Sequence, residues 1–90
     1  MTDELSALRA ELDEVDRALV DLLARRAALV GLVWQLKEAQ GLAMRDLVRE
    51  ATMYAGLLAR AEAAGLDGER VRAVFERIVG VDLLARRRDG

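Results

Sequence analysis

Arg26 and Lys37 stand on or beside the face that the segment "DLLARRAALVGLVWQLK", residues 21–37, should bury. They are eleven residues apart, a spacing that in a helix returns to within about 20° of the same face and rises about 16 Å. Two long cations so placed can converge on one small anion between them. A buried cation is costly without such a partner. Arg9 precedes Arg26 by seventeen residues, about 25 Å along a single helix, too far for a metabolite to bridge. To serve the same anion, Arg9 must arrive from a partner helix running antiparallel. In "MRDLVRE", residues 44–50, Asp46 and Glu50 share a face at i,i+4 with Arg49 beside them. Each residue also has a structural alternative. Arg9 can pair with Asp13 at the surface, Arg26 can join a buried ion pair, Lys37 can snorkel at a helix end, and Asp46 can satisfy a helix dipole.

The rest of the composition narrows the chemistry. The 90 residues include no His and no Cys. That removes the commonest general base and the Ser-His and Cys-His nucleophile systems, along with thiolate metal sites and disulfides. A net charge of −2 and a pI near 5.1 argue against general nucleic-acid binding, and Arg86-Arg87-Arg88 is too short to reverse that. The start, "MTDELSALRAELDE", is polar and acidic rather than a signal peptide, and no apolar run reaches membrane-span length. The expectation is a soluble, cytoplasmic, all-α protein.

The elements that must carry these residues follow from periodicity. Leu5, Leu8, Leu12, Val15, Leu19, Leu22, Leu29, Val33 and Leu36 form a sevenfold seam interrupted by Arg26. Nothing breaks this helix from about residue 3 to residue 39, before the turn at Gly41. A helix about 55 Å long does not fit a compact globule of this size, whose radius of gyration is about 12 Å. The seam calls for a second copy, giving an intertwined helical dimer. A second helix spans about 44–64, with Leu47, Val48, Ala51, Tyr54, Ala55, Leu58 and Ala61 as its apolar stripe. Gly65 ends it, and Asp67 caps a third helix over about 67–85, which carries Val71, Val74, Phe75, Ile78 and Val79. "LLAR" occurs at 22, 57 and 83; the unequal spacing reflects composition, not a repeat. The whole chain, 1–90, reads as one domain.

Arg9, Arg26, Lys37, Asp46, Arg49 and Glu50, with the segments "LRAELDEVD", "LLARRAALVGLVWQLK" and "RDLVRE", resemble the all-helical, bacterial type II chorismate mutases over nearly the whole chain. The resemblance implies an isomerase of aromatic amino acid biosynthesis, in the shikimate pathway, that rearranges chorismate to prephenate. That pericyclic reaction breaks a C–O bond as a C–C bond forms, and needs no acid, base, metal or cofactor. It needs a fixed chair conformer and stabilised negative charge on the ether oxygen.

By the same resemblance, Arg26 and the partner copy's Arg9 would clamp the substrate carboxylates. Lys37 would meet a carboxylate and the ether oxygen, Asp46 and Glu50 the ring hydroxyl, and Arg49 would orient a carboxylate. Arg9, Arg26, Lys37 and Glu50 are the expected catalytic set. The chain departs from the family pattern at Arg86, where a Gln is usual, at Asp82, where a hydroxyl residue is usual, and at Trp34, where a small residue is usual. Asp82 and Arg86 count as substrate-binding candidates, or as a simple i,i+4 ion pair. Rival readings are a mutase or lyase acting on 4-amino-4-deoxychorismate or isochorismate, and a weakly active or non-catalytic helical dimerisation or regulatory module. Another shikimate-pathway enzyme is a further candidate partner.

Overall fold

The computed structural model describes residues 2–43 and 45–85. It contains three helices, α1 (Thr2–Ala39), α2 (Leu47–Ala63) and α3 (Gly68–Gly80), with no strand among the described residues. They fall into two compact units. One holds the residues up to Leu32 and those from Leu83 onward; the other holds Val33–Asp82. No helix among the described residues is long and apolar enough to cross a membrane.

The first unit is built on α1. Asp3 and Glu4 occupy the first turn of that helix, where the dipole favours anions. The apolar seam is uncovered: Leu5, Leu8, Leu12, Val15, Leu19, Leu22 and Leu29 are each 50–59% exposed. Beside this helix, Leu84 lies over Gly31. A Cβ on that glycine would stand 3.5 Å from Leu84 Cδ1, an ordinary packing distance.

In the second unit, two helix ends are closed in the same way. At the end of α1, Leu42 N–H donates to the Lys37 carbonyl at 2.8 Å and Gly41 N–H to that of Glu38 at 3.2 Å. At the end of α2, Leu66 N–H donates to Ala61 at 2.8 Å and Gly65 N–H to Glu62 at 3.0 Å. Both are Schellman motifs, which need a left-handed residue just past the helix. Gly41 (φ 65°) and Gly65 (φ 77°) supply it, a conformation that costs a side-chain-bearing residue strain.

The second helix begins at Leu47 rather than at Met44, which lies outside the described residues. Asp46 sets the start: its backbone is extended and its Oδ1 accepts the Arg49 N–H at 3.0 Å, leaving no helical geometry before it. Asp67 does the same for α3, accepting from Glu69 and Arg70 N–H at 2.9 and 3.3 Å.

The two shorter helices pack on each other. Met53, Tyr54, Leu57 and Leu58 of α2 are half-buried, as are Val71, Phe75 and Ile78 of α3, and Ala61 is the one buried residue among those described. A Cβ at Gly68 would approach Leu58 Cδ2 to 3.3 Å, so the first turn of α3 comes close to α2. The Arg72 guanidinium sits 4.7 Å from the Tyr54 ring centroid and pairs with Glu76 at 3.2 Å.

Two sequence expectations change here. The stripe of α2 runs 50, 53, 54, 57, 58, 61, so Leu47 and Val48 are 66% and 79% exposed. The helix's phase follows the residues that meet α3, and the first apolar pair falls off that face. In addition, α3 stops at Gly80 instead of running to about 85. Val81 is extended (φ −121°, ψ 132°), since Gly is a poor helix former and a β-branched residue favours extended backbone. Asp82 therefore lies beyond the helix, not on the face shared by Val71, Phe75 and Ile78.

Candidate active site

In the first unit the candidates are Arg9, exposed, and Arg26, half-buried, both on α1. The regular helix between them holds the two about 25 Å apart, so one chain does not bring them together. Among the described residues no ion pair joins Arg9 to Asp13. The surface alternative for Arg9 is therefore not realised.

In the second unit Lys37 is half-buried in the last turn of α1. Its carbonyl closes the Schellman motif, which fixes the backbone from which the ammonium extends. Asp46, Arg49 and Glu50 come together at the start of α2. The Arg49 N–H binds Asp46 Oδ1, and the Glu50 N–H donates to the Asp46 carbonyl at 3.0 Å. Asp46 thus commits one carboxylate oxygen to the cap. Glu50 is half-buried at the head of the stripe that continues through Met53 and Tyr54.

One participant carries no periodic signal in the sequence. Arg45 Nε donates to Glu50 Oε2 at 2.9 Å, with the arginine side chain 76% exposed and the glutamate 28%. This hydrogen bond, and secondarily the carboxylate's charge, hold the Arg45 guanidinium above its ordinary pKa. The hint in the sequence is a basic residue directly before the capping aspartate. Asp82 is exposed past α3, and Arg86 lies outside the described residues. Among the described residues, no group of three or more acidic side chains is arranged to hold a metal ion. Within the second unit, the chain thus offers one cation, Lys37, at the end of α1 and two acids, Asp46 and Glu50, at the head of α2.

A family model described as chorismate mutase type II matches residues 8–83. The chain belongs to the chorismate mutase type II family. It is 42% identical over 79 residues to the T-protein of Enterobacter agglomerans, covering 88% of this chain and 21% of that protein. It is 34% identical over 77 residues to the T-protein of Haemophilus influenzae, covering 86% and 20%. It is also 33% identical over 75 residues to a bifunctional chorismate mutase/prephenate dehydratase of Enterobacter agglomerans, covering 83% and 19%. The chain thus spans about a fifth of the length of the curated relatives it matches. No solved structure matches it significantly. All the candidates from Arg9 to Asp82 fall inside the span matched to the chorismate mutase family, and Arg86 falls outside it.

Proposed function

We propose that this chain is a chorismate mutase that converts chorismate to prephenate as a homodimer with two shared sites. The observation that carries the reading is the family match over residues 8–83, which includes Arg9, Arg26, Lys37, Asp46, Arg49 and Glu50. Arg26 and the Arg9 of a second copy hold the two carboxylates of the substrate and so select its reactive chair conformer. Lys37 bonds a carboxylate and the ether oxygen, where negative charge grows as the C–O bond breaks, so its attraction is stronger in the transition state than in the ground state. Glu50 accepts the ring hydroxyl, Asp46 supports it, and Arg49 orients a carboxylate. Asp82 and Arg86 are further substrate-binding candidates. No proton is transferred, which agrees with a chain that contains neither His nor Cys. A biosynthetic enzyme of this kind works in the cytoplasm.

Purified protein should consume chorismate, followed by its loss of absorbance, with prephenate identified as the product. Arg26→Ala should lower kcat/KM by about a hundredfold or more while leaving the helical circular-dichroism signal intact. Full turnover by that variant would make Arg26 a structural cation and overturn the assignment.

A further inference from the structure

From the contact between Arg45 and Glu50 we infer that Arg45 is a positioning residue: it fixes one oxygen of Glu50 so that the other is presented to the substrate's ring hydroxyl. This rests on the chorismate mutase reading above. A glutamate has three side-chain torsions and loses considerable freedom when fixed. Arg45 Nε holds Oε2 at 2.9 Å, leaving Oε1 to accept a hydroxyl proton. The arginine can do this because it stands just outside α2. The extended Asp46 ends the helical path at that point and lets the residue before it fold back across the first turn to a residue five positions on. The Glu50 backbone is fixed as well, through its N–H bond to the Asp46 carbonyl. Main chain and carboxylate are thus both set before any ligand arrives.

A carboxylate oxygen accepts hydrogen bonds, which favours a ligand that donates at that point. A hydroxyl donates one hydrogen bond and fits a single presented oxygen. Arg45 would then act on substrate selection rather than on charge development at the ether oxygen.

The test is a kinetic double-mutant cycle on the full chain. Because the arginine is exposed, Arg45→Ala should raise KM for chorismate modestly, by roughly fivefold, with kcat nearly unchanged. Arg45→Lys, which keeps the charge without the directed Nε, should recover part of that loss. In a Glu50→Gln background, Arg45→Ala should add little, because its effect passes through the carboxylate. If the two losses multiply in full, or if Arg45→Ala lowers thermal stability while KM stays put, Arg45 only stabilises the start of α2 and the inference is overturned. A wild-type chain that leaves chorismate unchanged overturns the underlying reading instead, and this one with it.

Discussion

At the scale of single residues, the division of labour between cations is the sharpest expectation. Lys37 should act mainly on the transition state and Arg26 on both binding and reaction. Lys37→Ala should therefore lower kcat by about a hundredfold with a smaller change in KM, read from steady-state chorismate consumption. Equal losses in binding and turnover would move Lys37 into the same role as Arg26. Arg26 stands out in the sequence because a long charged side chain in an apolar seam violates a simple period; Lys37 stands beside the end of that seam. Arg45 was not legible in that way. Its link to Glu50 spans five residues across a cap, and no helical period pairs such positions. The helical spacing expected of Asp82 and Arg86 presumed a third helix running to about residue 85, whereas α3 ends at Gly80 and Arg86 lies outside the described residues.

At the scale of elements, the two Schellman closures and the two aspartate caps define where the helices of the second unit stop and start. Asp67→Ala should destabilise the α2–α3 hairpin by about 1 kcal/mol, seen as a lower melting midpoint with the active-site residues untouched. Gly41→Ala forces a left-handed backbone on alanine, at about 1–2 kcal/mol. It should also disturb Lys37, whose carbonyl belongs to that closure. Chorismate turnover should then fall along with thermal stability, whereas Asp67→Ala should change stability with less effect on turnover. Gly65 and Asp67 were readable from sequence as caps because Gly and Asp at helix ends act locally, whereas Asp46 read as part of the first turn of a helix beginning near 44 and instead caps one beginning at Leu47. The rotation of α2 was not, because its phase answers to contacts with α3, and Leu47 and Val48 look as apolar as the residues that are covered.

At the scale of the whole molecule, the uncovered leucine seam of α1 and the Arg9–Arg26 separation both call for a second copy. Light scattering at micromolar concentration should give about twice the 9.9 kDa chain mass. Mixing inactive Arg9→Ala with inactive Arg26→Ala chains should restore part of the activity, since a mixed pair keeps one intact site. Proven subunit exchange without recovery would refute sharing. The expectation of a partner rests on the length of the first helix, while nothing in one chain's sequence displays the partner's face.

The fixed interval between Arg9 and Arg26 also bears on how activity should scale with dilution. If neither arginine can reach the other's ligand within one chain, a turnover centre exists only while two molecules are associated. Below the dissociation constant, the active fraction should then fall in proportion to total protein, and the observed rate should fall with its square. Chorismate, touching both copies at once, should oppose that loss, so that saturating substrate preserves specific activity at dilutions where the free protein has already separated.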